Sequence, residues 1–448
     1  MRSKYFLLAS VLFMNLLLFS SCLNSSDENI EYSPDAQVYA FSLSSRADTA
    51  NLLTATQFTI DQINGKIFNK EPLPYQFQVD SVLLNIRGQS AYSSFSQIML
   101  TLEPDSSFVW TQSDSVAVNR LRKITTTAPD GKTTKAYNFE LNVYQQDPYI
   151  LSWEKRQNNY LTSAVVSQKT IALNNLFITY WLSGTVMQAV TTTASDGVNW
   201  SGADVTGLPY TADLSTLVVS GNVVYMLDSL SGSVYKSTDG LSWEPVTTPY
   251  SVKAMYGELP TTTGGKILIA VNHNDTLKFA DTDDFSVMRL LNSVPEDIPV
   301  KDFTAAKIDN PTSYSIKYII LSGGARVDTA PNNDIWILQH KNGLITFIKS
   351  RVPASLSLNG SSLFFYDNKP YLMTTSSDKN ILIYSENSGL DWIEAGQNQQ
   401  FPADFNKRTA ASVITDADNY IWIFGGVSAT QTPLVDVWRG RLNKFAEI

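Results

Sequence analysis

The chain has 448 residues, enough for two or three domains, and 43% of them are apolar, ample for packed cores. Its 33 Lys and Arg against 42 Asp and Glu leave a formal charge of −9, which argues against nucleic acid and against lying flat on an anionic membrane. The single cysteine excludes an intrachain disulfide.

The chain opens with Arg2 and Lys4, followed by an apolar run from Tyr5 to Phe19 broken only by Ser10 and Asn15. That run is short for a membrane span, which needs ~20 residues, and fits the apolar core of a secretory leader. Leu18-Phe19-Ser20-Ser21-Cys22 then resembles the bacterial lipobox, with Phe19 departing from its usual aliphatic residue. The resemblance implies that residues 1–21 are a lipoprotein signal peptide and that Cys22 becomes the lipidated first residue. Several acyl chains, at ~0.8 kcal/mol per buried CH₂, make a stable anchor where one would not. Residues 22–31 form a polar, acidic tether through Asp27, Glu28 and Glu31. This tether is similar to surface-export signals of Bacteroidetes lipoproteins, which implies an outer-membrane lipoprotein on the cell surface rather than the periplasmic face. Asp-[Ser/Thr]-apolar triplets at Asp48, Asp80, Asp114, Asp228, Asp275 and Asp328 resemble the O-glycosylation sequon of that phylum.

Strand alternation dominates residues 32–147. Tyr137, Phe139, Leu141 and Val143 alternate with Asn138, Glu140 and Asn142, after a turn at Pro129-Asp130-Gly131. Strands are also predicted over Val79 to Ile86 and Gln97 to Leu102, and Asn64-Gly65 joins a hairpin between Phe58 and Phe68. Short strands at this spacing fit an immunoglobulin-like (Ig-like) β-sandwich. The segment resembles the Ig-like modules that follow the tether in Bacteroides surface lipoproteins, as a binding module or a spacer.

Residues 148–448 contain repeats. Tyr318 to Gly323-Gly324, then Asp334 and Trp336, is matched by Tyr420 to Gly425-Gly426, then Asp436 and Trp438. The copies lie 102 residues apart, two units of the size of a kelch blade. The pattern resembles kelch motifs, with glycines where a Cβ would clash near the axis and a Trp between neighbouring sheets. A second motif interleaves with it: Asp196-Gly197 with Trp200, Ser237-Asp239-Gly240 with Trp243, and Ser385-Asn387-Gly389 with Trp392. These resemble the Asp-boxes of sialidases and other propellers, which are structural turns, and Asp281 to Phe285 reads as a decayed copy. The marks divide the chain into six units at 160–203, 213–248, 252–292, 301–350, 353–396 and 407–445. The last holds only three strands, while Tyr149 to Lys155 reads as an outer strand ahead of the first. That segment is therefore predicted to close the ring by pairing with the last unit, removing free sheet edges. The expected architecture is all-β: an Ig-like β-sandwich followed by a six-bladed β-propeller, with seven blades as the alternative.

No catalytic constellation emerges. His273 and His340 read as surface or loop residues, and there is no Gly-x-Ser-x-Gly elbow. Asp281, Asp283 and Asp284 lack the Gly and distal Glu of an EF-hand and read as a turn-capping cluster. Arg289, Arg326, Arg351, Arg408, Arg439 and Arg441 include none in the Arg-Ile-Pro context of sialidases. No catalytic, cofactor or metal residue is predicted. The expected function is a non-catalytic binding or scaffold module for a glycan, peptide or partner protein on the propeller face. The alternative is a polysaccharide-active hydrolase or lyase using the central pocket. The whole resembles Bacteroidetes lipoproteins of unknown function with an Ig-like module and a kelch-like propeller.

Overall fold

The computed structural model describes residues 31–79, 81–89, 94–161, 165, 167–259, 265–309 and 317–446. Cys22, the leader and all but the end of the tether lie outside the described residues. The chain divides into two compact units between Gln146 and Asp147.

Alternation builds the first unit. Phe58–Asp61 and Lys66–Asn69 form the expected hairpin, with Phe58 opposite Asn69. Asp61 sets its turn by accepting the Ile63 and Asn64 N–H groups. Lys66–Asn69 then pairs in parallel with Thr134–Glu140 inside a six-stranded sheet. Ala40–Ser44, Val82–Arg87 and Ser115–Val116 make a three-stranded sheet. Leu43, Leu84 and Ile86 of the smaller sheet share one core with Ile67, Ile124 and Tyr137 of the larger. The strand expected to run to Val143 stops at Glu140. The cause is a side-chain pairing: Asn69 Oδ1 accepts the Asn142 N–H at 2.7 Å, and Asn142 Nδ2 returns a bond to the Asn69 carbonyl. The strand predicted from Val79 starts instead at Val82.

Six four-stranded antiparallel sheets make up the second unit among the described residues. Their first strands are Gln168–Leu173, Ala212–Ser220, Val252–Leu259, Lys301–Asp309, Ser357–Tyr366 and Ser412–Thr415, in sheets 1 to 6. Sheet 6 takes its fourth strand from the start of the unit. Leu151–Gln157 pairs antiparallel with Val437–Leu442, Leu151 opposite Leu442, as the sequence suggested. Trp153 lies where a side chain on Gly440 would stand and packs on Phe401, and Glu154 pairs with Arg439.

The sheets are bound to one another by turns. In sheet 2, Ser237 Oγ accepts the Gly240 N–H at 2.9 Å. Asp239 Oδ1 accepts the Leu241 and Ser242 N–H groups, and the Ser242 bond foremost holds its pKa down at about 2. Gly240 adopts φ +77°, and a Cβ there would meet Ile178 at 2.5 Å and the Tyr180 hydroxyl at 2.9 Å, both in sheet 1. Tyr180 donates to the Gly240 carbonyl at 2.7 Å, so the turn is pinned to the preceding sheet. Gly389 of sheet 5 sits against Ile320 and Ile337 of sheet 4, and Gly197 of sheet 1 against Trp422 of sheet 6. Sheet 3 does the same with a different residue. Thr282 Oγ1 accepts the Phe285 N–H, and Phe285, at φ +68°, buries its ring 4.8 Å from that of Tyr225 in sheet 2. Burial offsets the strain of a bulky residue in the left-handed region.

In each Gly-Gly pair the second glycine crowds the innermost strand of its own sheet, Gly324 against the Lys301 carbonyl at 2.5 Å and Gly426 against the Thr409 carbonyl at 2.8 Å, and the first crowds the next sheet. A Cβ on Gly323 would meet the Leu358 carbonyl of sheet 5 at 2.3 Å, and one on Gly425 the Gln168 side chain of sheet 1 at 2.2 Å. Trp336 and Trp438 are buried against the preceding sheets, as expected. Trp438 Nε1 donates to Asp436, whose carboxylate forms a two-pronged bond to the buried Arg408 guanidinium at 2.6 and 3.1 Å. Burial alone would raise the Asp436 pKa, but Arg408 and Trp438 hold it below the ordinary carboxylate range.

Two predictions follow from these ties. Gly240→Ala should cost about 2 kcal/mol or more through strain and collision, against about 1 kcal/mol for Asp239→Ala, read from denaturant midpoints. A lowered folded-state pKa stabilises above the unfolded value of about 3.9 and loses that contribution as pH falls through the folded value. The stability gap between the wild type and Asp436→Asn should therefore shrink on acidification below about pH 4; a gap that widens would refute the assignment.

Candidate functional site

The six first strands line one channel, to which Thr170, Ser215, Tyr256, Thr304, Leu363 and Ser412 contribute, one from each sheet. Its volume is about 300 Å³. A second recess of about 180 Å³ shares Lys169, Ser215 and Thr304 with it and opens among the starts of the same strands. This is the mouth. Hydroxyl groups tie the channel wall together across sheet boundaries. Ser412 Oγ accepts the Thr170 N–H at 2.9 Å, and Thr304 Oγ1 accepts the Leu363 N–H at 3.1 Å. Ser362 Oγ donates to the Ala411 carbonyl at 2.7 Å.

Charge in the channel is sparse. Glu258 and Lys307 pair at 2.9 Å, farther along the strands from the mouth. Lys169 and Asp302 line the mouth and make no ion pair with each other or with any other described residue. Loss of hydration alone lowers the Lys169 pKa. The Tyr256 hydroxyl is fully buried with no hydrogen-bond partner among the described residues, and burial pushes its pKa up.

The residues weighed from sequence do not converge here. Arg289 pairs with Asp281, Arg351 with Asp334, Arg408 with Asp436 and Arg439 with Glu154, and among the described residues no arginine lines the channel. Arg326 lies 3.5 Å from Asp328, and Arg441 stacks on Tyr420. Asp281, Asp283 and Asp284 turn to Arg289, Lys266 and Ser286 respectively. His273 meets the ring of Tyr250, while His340 lies 3.5 Å from Arg289. Sequence reasoning missed Lys169. Its one signal was a lysine in the strand Gln168-Lys-Thr-Ile-Ala-Leu173, otherwise without charge.

Sheets that present their first strands to a common channel define a β-propeller protein. Residues 147–447 match the DUF6242 beta propeller domain, and residues 35–141 match the DUF6242 N-terminal domain, a domain of unknown function. The chain belongs to the DUF6242 family. Among curated proteins, none matches the sequence. Solved structures of similar fold include YjhT, 12% identical with a TM-score of 0.44, over 62% of this chain and 95% of that one. A streptogramin B lyase is 10% identical with a TM-score of 0.38, over 66% and 100% of the two chains. Trypanosoma rangeli sialidase is 11% identical with a TM-score of 0.40, over 66% and 60%. These are likenesses of fold.

Tyr256→Phe should leave the propeller as stable or raise its stability by about 1 kcal/mol, because it removes an unsatisfied buried hydroxyl. A loss of more than that amount in chemical denaturation would show that the hydroxyl is bonded.

Proposed function

We propose that this chain is a cell-envelope lipoprotein, anchored through Cys22, whose propeller binds a ligand at the channel mouth without transforming it. The observation that carries the reading is the character of the mouth. Hydroxyls, backbone, Gln168, the apolar Leu214 and Phe303 and a lysine unpaired among the described residues line it, and among those residues its carboxylate, Asp302, has no second carboxylate beside it. Glycosidic hydrolysis needs two carboxyl groups facing each other ~5–9 Å apart. Deeper in the channel, Glu258 is engaged by Lys307. A recess of mixed polar and apolar lining with little free acid or base suits recognition.

The six sheets are taken as six blades, with Leu151–Gln157 completing the last. The turns around Asp239 and Asn387 are taken as Asp-boxes, and the glycine pairs at Gly323 and Gly425 as kelch-like marks. The two-sheet unit before Asp147 is taken as an Ig-like module that holds the propeller away from the membrane. Its acidic tether supports display on the cell surface, in the manner of Bacteroidetes lipoproteins.

Two measurements test the proposal. Mass spectrometry of the membrane-extracted protein should find a diacylglyceryl group on Cys22; a free thiol there would refute the anchor. On a glycan array, the full chain should retain ligand with no product detected by chromatography. Release of cleaved sugars would replace binding with hydrolase or lyase activity.

A further inference from the structure

We propose that the channel mouth is an oxyanion site, in which Lys169 receives the carboxylate or phosphate group of a small molecule. The inference rests on the binding reading above and specifies its ligand.

The donor inventory carries the argument. Lys169 is partly buried, lines both the channel and its mouth, and has no carboxylate, carbonyl or aromatic partner among the described residues. Every other lysine or arginine lining the two recesses is already paired, since Lys307 is held by Glu258. A cation that has lost water and gained no counter-charge is a cost to the fold. That cost is removed when an anion arrives. The surrounding hydroxyls are poised to help. Thr304 Oγ1 at the mouth and Ser412 Oγ in the adjoining channel each accept a backbone N–H from the neighbouring sheet, which leaves their own protons free to donate. One ammonium and two unspent hydroxyl donors fit an oxyanion, whose oxygens accept only. Asp302 and Glu258 are the carboxylates that line these recesses. Glu258 is neutralised by Lys307, and Asp302 makes no ion pair with Lys169. The channel, about 300 Å³, and the adjoining recess, about 180 Å³, match a molecule of one sugar ring in size rather than a polymer.

The test is isothermal titration calorimetry of the full-length chain with sodium glucuronate, sodium glycolate and inorganic phosphate, with glucose as the neutral control. At least one of the three anions should bind and glucose should not. Binding by glucuronate or glycolate alone assigns a carboxylate, and binding by phosphate alone assigns a phosphate. Lys169→Met should weaken that affinity roughly tenfold or more, since one partner of a desolvated charge pair is gone, and Lys169→Arg should keep part of it. Thermal unfolding without ligand gives an independent readout: Lys169→Met should melt no lower than the wild type, because an unpaired charge has been removed. The proposal fails if none of the anions binds, if Lys169→Met binds as the wild type does, or if that variant melts lower. Its failure is separable from that of the binding reading. Uncharged glycans held equally by wild type and Lys169→Met would leave that reading standing, whereas conversion of any probe to product would remove it.

Discussion

One antiparallel seam, Leu151–Gln157 against Val437–Leu442, holds the rest of the propeller in place. A row of twisted sheets ends in two unpaired edges, and such edges invite aggregation. Here the first strand of the unit covers the last, and the path round the axis closes. The channel exists only because it closes. Where sheet 6 meets sheet 1, the Thr170 N–H donates to Ser412 Oγ, so the ring that the seam closes is also bonded along its channel wall. The seam is reinforced by chemistry beyond its backbone: Trp153 over Gly440, Glu154 on Arg439, and the Lys155 ammonium 4.8 Å from the ring of Trp438.

Between the other sheets, adhesion comes in two forms. Sheets 1, 2, 3 and 5 each send the turn before their last strand onto the sheet behind them. In sheets 4 and 6 the task falls to a buried Trp held by a polar anchor. Trp336 Nε1 donates to Asn332, which also bonds the Gly323 and Asp334 carbonyls. Trp438 Nε1 donates to Asp436, itself locked by Arg408. The anchors of both forms, Ser237, Asn332, Asp436 and Arg408 among them, are hydrogen-bonded, as an interior of low dielectric demands. Phe285 shows that the first form tolerates loss of its glycine when a large ring recovers the contact.

Features written in local chemistry were legible in the sequence. Ser237, Asp239 and Gly240 make a turn whose donors and acceptors lie within a few residues, so the pattern survives reading one residue at a time. The Gly323 and Gly425 pairs were legible for the same reason, with one glycine of each crowding its own innermost strand and the other the next sheet. Where a distant partner decides, the reading failed. The strand after Tyr137 was cut short by Asn69, remote in sequence but adjacent in the sheet. The channel lies at the far end of this scale. Its wall draws one strand from each sheet, and nothing within Gln168–Leu173 reveals that Lys169 faces a recess rather than solvent. The polar residues flagged early, among them Asp281, His340 and Arg408, were conspicuous by type. Their neighbours had already spent their charge or hydrogen-bonding capacity.

The seam joins residues 291 positions apart, Leu151 to Leu442, and this separation sets an order of events for a chain made from its N-terminus. Each of the first five sheets is contiguous in sequence and can pair its own strands as soon as it emerges. The sixth cannot, because its outer strand is made first and its inner strands last. Until Leu442 is released, Leu151–Gln157 waits as a bare edge, and late closure of this kind is the slow step where contact order is high. In a chain that crosses a membrane before it folds, assembly of the ring, and with it of any ligand site on its axis, then belongs to the far side.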